Sequence, residues 1–150
     1  MIVQAPDHEL IFATLSEYRV DYLVVGGLAA ALHGSPVMTF DVDIVPALDP
    51  ANINRLEQSL QALNAVFRSR PDLVPKRLHL ESRGHKLLRT PHGDIDMLGA
   101  IGDDEDYEAL STDFLNMKVA GQSVRVLGVR ALIRTKRAAG RPKDQYGSCI

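Results

Sequence analysis

The chain has 150 residues, 45% of them apolar, with 17 basic and 19 acidic side chains for a net charge of −2. That length suits a single domain over residues 1–150, which can bury roughly two-thirds of its chain surface without a disulfide or metal staple. No stretch approaches the ~20 apolar residues of a membrane span, residues 1–9 lack the basic flank and apolar run of a signal peptide, and the lone Cys149 excludes an internal disulfide framework, so a cytoplasmic setting without membrane contact is expected.

In chain order, residues 7–19 read as an amphipathic helix with Leu10, Ile11, Thr14, Leu15 and Tyr18 on one stripe. Residues 22–25 form a short apolar run that ends at Gly26-Gly27, which predicts a buried strand. The alanine-rich stretch 28–33 predicts a helix stopped by Gly34. Residues 40–45 alternate polar and apolar, the pattern of a strand, ended by Pro46 and Pro50. A second amphipathic helix follows over 51–63, with Ile53, Leu56, Leu60 and Leu63 on its face. Residues 69–76 read as a proline-containing loop, and 85–89 with 94–98 as a hairpin across Thr90-Pro91-His92-Gly93. Acidic first-turn residues predict a short helix over 104–110. A second hairpin joins 115–119 to 123–127 around Ala120-Gly121, and a last helix spans 129–139 and stops at Gly140. This alternation predicts a mixed α/β (α+β) domain, with helices packed on a small mixed sheet.

The near-neutral charge hides an asymmetry. Residues 103–113 hold six acids and no base, whereas from Lys118 onward there are eight bases against Asp144 alone, a net +7. Such a field suits a polyanionic ligand such as a nucleotide or RNA, and equally a solvated helix face.

Three features carry possible chemistry. Gly26-Gly27 sits between a strand and a helix, where backbone amides and the positive end of a helix dipole can approach a phosphate; a tight turn is the other reading. Asp41 and Asp43 share one face of a strand, with Val42 and Ile44 on the other, so the two carboxylates are suited to hold Mg²⁺ unless that face is simply solvated. Asp94 and Asp96 repeat the pattern. Asp96 is the better third carboxylate for a two-metal site, because Asp94 lies nearer the turn and reads as solvent-facing. His33 and His85 stand alone and read as structural, and Cys149 shows no sign of activation.

Gly26-Gly27, thirteen intervening residues and then Asp41-Val42-Asp43-Ile44 resemble the signature of the polymerase-β-type nucleotidyltransferase superfamily. The surrounding run from Tyr22 to Pro36 is similar to the minimal bacterial branch that includes the AbiEii-type toxins of toxin–antitoxin systems, and the segment from Lys136 to Asp144 resembles that branch's lysine-and-aspartate motif. The likeness spans residues 20–146. It implies the nucleotidyltransferase fold and Mg²⁺-dependent transfer of a nucleoside monophosphate from a nucleoside triphosphate to a tRNA or protein acceptor, with an antitoxin as a further partner. It also implies that Asp41, Asp43 and Asp96 hold the metal, two ions being expected, with Asp96 alternatively the base for the acceptor hydroxyl. Gly26, Gly27, Thr39, Lys136 and Asp144 would bind the nucleotide. The helical stripe Val129-Leu132-Ile133 separately places Lys136 inward, where it either serves the site or snorkels. The chain departs from the pattern in having no base around Thr39, between Val37 and Phe40, and in carrying Gly147 where an acid often stands. A catalytically weak nucleotide- or partner-binding domain, or an aminoglycoside-type enzyme acting on a small molecule, are therefore the rival expectations.

Overall fold

The computed structural model describes residues 7–34 and 41–139. The features expected at Val37, Thr39, Phe40, Gly140, Asp144, Gly147 and Cys149 lie outside the described residues.

The first helix, α1 (His8–Glu17), starts at an Asp7 cap whose Oδ1 accepts from the Leu10 N–H at 3.3 Å. It closes where Arg19 takes a left-handed φ of 57° and the Val20 N–H returns to the Leu15 carbonyl. Phe12 joins Ile11 and Leu15 in the core, while Leu10 stays partly exposed, so the buried stripe is rotated from the expected one. Strand β1 (Tyr22–Val24) leads into α2 (Gly26–Leu32), which begins at the glycine pair itself. Strand β2 (Asp41–Pro46) and α3 (Pro50–Ala62) follow, the helix capped by Asp49 with Pro50 in its first turn.

Between residues 63 and 85 the chain adds two elements that its pattern does not announce, β3 (Val66–Phe67) and α4 (Arg77–Glu81). The two hairpins form as expected, β4 (Lys86–Thr90) with β5 (Gly93–Met97), and β6 (Phe114–Val119) with β7 (Gln122–Leu127). Ala120 and Gly121 both have positive φ, as a two-residue hairpin turn requires. The acidic segment differs from expectation. Residues 101–105 close a turn through the Ile101–Glu105 backbone pair, with Asp104 at φ 59°, so α5 (Tyr107–Leu110) begins only after its Asp106 cap. The last helix, α6 (Val129–Ala139), spans the expected residues.

The seven strands form one mixed sheet in the order β3-β4-β5-β2-β1-β7-β6, with β2–β5 and β1–β7 parallel and the other pairs antiparallel. Alternation splits the core between its faces. Val24, Val42, Ile44 and Ile95 pack with the apolar side chains of α1 and α3, whereas Leu23, Val45 and Leu127 pack with Leu110 of α5 and Ala131 of α6. Asn52, fully buried in α3, ties the strand ends to this core: its Nδ2 donates to the carbonyls of Asp21 and Ala47, and its Oδ1 accepts from the Asp21 N–H.

In α6 the sequence stripe proves to be a different surface. Ala131, Thr135 and Ala138 are the buried positions, while Val129 and Ile133 are 47% and 46% exposed. The helix lies so close to residues 98–102 that a Cβ on Gly102 would stand 2.9 Å from Thr135 Cγ2, so small side chains occupy the packed face. Among the described residues no helix is long and apolar enough to cross a membrane.

Candidate active site

Strand β2 lies between β1 and β5 in the middle of the sheet, its Val42 and Ile44 fully buried on one face. Its other face presents Asp41 and Asp43. The parallel register sets Asp41 beside Asp94 and Asp43 beside Asp96, so two strands about 4.8 Å apart carry a two-by-two array of carboxylates on one face.

The glycine pair is laid against this array. The Val25 N–H donates to the Asp43 carbonyl at 2.9 Å, and the Leu28 N–H reaches Asp43 Oδ2 at 3.5 Å. Gly26 has φ +61°, and a Cβ there would sit 3.1 Å from Asp43 Oδ2, so this position requires glycine on both counts. Burial, then the charge of Asp96, pushes the Asp43 carboxyl up to about 6, against an opposing hydrogen bond from the Leu28 N–H. Asp43 and Asp96 are within hydrogen-bonding reach of each other. Asp41 is also raised, by burial and then by Asp96, with Arg68 and His8 opposing.

Arg68, which periodicity did not single out, is the cation of this array. Its backbone N–H pairs with the Leu87 carbonyl, extending β3 by one residue. Leu87 pairs with Asp96 and Asp96 with Asp43, so Arg68 stands at the end of a row that crosses four strands. Its Nη2 donates to Asp96 Oδ1 at 2.6 Å and to the Leu88 carbonyl at 3.0 Å. Its Nε is 3.2 Å from Asp94 Oδ2 but misaligned, and is left without a hydrogen-bond partner. Asp94 is therefore not the solvent-facing turn residue expected from its place in the hairpin. It faces Asp41 and is bracketed by Arg68 and, at 3.5 Å, by Arg89.

A cleft of about 630 Å³ opens between the start of α2 and the exposed flank of α6; Val25, Gly26, Gly27, Leu98, Ile133 and Lys136 are among its walls, and it adjoins the carboxylates through Gly26, none of the four aspartates lining it. Val129, Ile133 and Lys136 of the sequence stripe thus face this cleft, while Leu132 also packs against the core, and Lys136 is exposed. His33 donates from Nε2 to the Leu127 carbonyl at 2.8 Å, and His85 contacts the Ala100 carbonyl at 3.3 Å, both backbone-bracing roles. The charge asymmetry is partly cancelled in space, since Arg134 pairs with Glu105 at 2.7 Å and Arg83 with Asp104 at 3.2 Å.

Among the described residues no three Asp, Glu, His or Cys side chains converge closely enough to hold a metal ion. The donor set nonetheless has the chemistry of a hard divalent-cation site: four carboxylates on one face, more negative than Arg68 and Arg89 offset, with Asp43 raised by burial first and then by Asp96.

No protein-family profile matches the chain. No curated protein matches it in sequence. Solved structures do match in shape. A candidate nucleotidyltransferase from Thermotoga maritima superposes with a TM-score of 0.61 at 19% identity, over 92% of this chain and 85% of that one. The antibiotic-resistance factor ANT(2'')-Ia in complex with adenylyl-2''-tobramycin superposes with a TM-score of 0.56 at 19% identity, over 94% and 82%. A solution structure of ANT(2'')-Ia gives 0.53 at 22% identity, over 84% and 65%. With a central carboxylate-bearing strand entered past a glycine pair, the chain has the nucleotidyltransferase fold.

Proposed function

We propose that the protein is a Mg²⁺-dependent nucleotidyltransferase that moves a nucleoside monophosphate from a nucleoside triphosphate to an acceptor hydroxyl. The observation that carries this reading is the pairing of Asp43 with Asp96 across parallel strands, with Gly26-Gly27 packed against Asp43. Asp41, Asp43 and Asp96 would hold the metal, which when bound would supply positive charge to the triphosphate oxygens and to the charge that develops in displacement. Gly26, Gly27 and the amides after them would receive the phosphates, and Lys136 would reach the triphosphate from the cleft. Thr39 and Asp144 are proposed to complete the nucleotide contacts. In the transfer the acceptor oxygen bonds to the α-phosphorus, the bond to the β-phosphate oxygen breaks, pyrophosphate leaves, and Asp96 takes the acceptor proton where it is not itself a ligand.

For the acceptor we favour tRNA or protein, in the manner of a toxin held by an antitoxin, because the exposed flank of α6 carries Arg130, Lys136 and Arg137. A small-molecule acceptor is the second reading. The shape likeness to ANT(2'')-Ia bound to an adenylylated aminoglycoside supports it, as does the Arg134–Glu105 pair that tempers the basic surface. The test is incubation with Mg²⁺ and each labelled triphosphate, with total tRNA, lysate or aminoglycosides as acceptors. Label on one acceptor class, lost in Asp41→Ala, is the expected result. No label on any acceptor, with wild type and D41A alike, would sink the proposal.

A further inference from the structure

Among the described residues one cation reaches both Asp94 and Asp96, and it comes from the sheet edge. Arg68 reaches over Leu87 to Asp96, two strands away, and is held at its far end by the Leu88 carbonyl as well as by Asp96. Nη2 has two good acceptors. Nε has only Asp94, near in distance but poor in angle. The side chain is therefore pinned by Asp96 and the backbone, and acts on Asp94 through charge alone. One oxygen of Asp96, Oδ1, is committed to the guanidinium, which leaves Oδ2 for the Asp43 side. Asp94 is engaged by Arg68 and Arg89.

We propose that Arg68 is a positioning residue of this site: it orients Asp96 and withholds Asp94, so that a divalent cation is offered Asp41, Asp43 and one oxygen of Asp96. This rests on the metal-dependent reading above. An arginine is suited to the task where a lysine is not, because its delocalised charge reaches Asp94 at Nε while Nη2 holds Asp96 and the Leu88 carbonyl, a span that a single ammonium does not cover.

The proposal separates two quantities that a merely structural arginine would move together. In Arg68→Gln the array loses the charge shared by Asp94 and Asp96 and frees Asp96 Oδ1, with Arg89 still beside Asp94. Mn²⁺ alone, titrated and read by electron paramagnetic resonance, should then bind about tenfold more tightly, because a unit charge beside a partly buried site is worth about that much. Nucleotide transfer should fall, because Asp96 has lost its orientation. Arg68→Lys keeps the charge but not the fork, so Mn²⁺ affinity should stay within about threefold of wild type while transfer still falls. A folded R68Q that binds Mn²⁺ no more tightly than wild type overturns the proposal, as does an R68K with wild-type transfer. Absence of Mn²⁺ binding by the wild-type protein would overturn the metal-dependent reading as well.

Discussion

Asp43→Asn should make the protein more stable at neutral pH while abolishing its activity. The carboxyl titrates at about 6 in the folded chain, against an ordinary value of 3.8. Between those pH values the folded state holds more protons than the unfolded one, so stability falls as pH rises through the window, and the cost is fully present above pH 6. Converted directly, that displacement is about 3 kcal/mol. Partial access to water reduces it to about 1–2 kcal/mol. The amide keeps an acceptor for the Leu28 N–H and removes the charge, so it recovers this cost. Thermal melts in chelator at pH 7 should place D43N about 3–8 °C above wild type. The gap should shrink toward pH 4, where Asp43 is protonated in the folded wild type. Adding Mg²⁺ at about 100 times its Kd should raise the wild type by about 2.7 kcal/mol, reversing the order, and leave D43N nearly unmoved. A gap that does not change with pH, or a D43N less stable than wild type at pH 7, would refute the claim that repulsion and burial are concentrated on this residue.

Asn52→Leu fits the space but abandons the Asp21 N–H and the Ala47 carbonyl and removes one of two donors to the Asp21 carbonyl, so urea unfolding should show a loss of about 3 kcal/mol. Gly26→Ala forces a Cβ onto Asp43 Oδ2 at a left-handed φ; it should lose roughly 1–2 kcal/mol in a melt and at least about tenfold in transfer rate. Lys136→Met is exposed in the cleft and should leave the melting temperature within about 1 °C while raising the triphosphate KM about tenfold, read from steady-state rates.

What was legible in the sequence was whatever repeats locally. Period-two alternation marked β2, turn residues marked both hairpins, and helical spacing marked α1 and α3. β3 escaped because two residues have no period, and it exists only through its pairing with Leu88 and Arg89. α4 escaped for a similar reason: five residues are held by the Lys76 N–H donating to His79 Nδ1 and by the burial of Leu80, neither of which leaves a pattern. The α6 stripe was misassigned because apolar spacing identifies a face without naming what covers it. Close approach to residues 98–102 gave the core side to Ala131, Thr135 and Ala138, and left the larger residues to the cleft.

The same distinction governs the site. Each strand announced its own carboxylates, since i and i+2 share a face whatever the neighbours are. Nothing local could say that β5, at the far side of two helices and a hairpin, would lie parallel to β2 in the register that sets Asp96 against Asp43. A slip of one residue would turn Asp94 and Asp96 to the opposite face and put Ile95 among the acids. That register is held by Ile95, Leu88, Val42 and Ile44 on the buried side, all fully excluded from solvent. The apolar half of each strand therefore decides where the charged half lies. Arg68 is the extreme case: its role depends on three successive strand pairings that bring it into line with Asp96, so a lone arginine after a two-residue strand carries no sign of it in sequence. The burial and repulsion that Asp43 bears are tolerable because that same buried face keeps β2 in place.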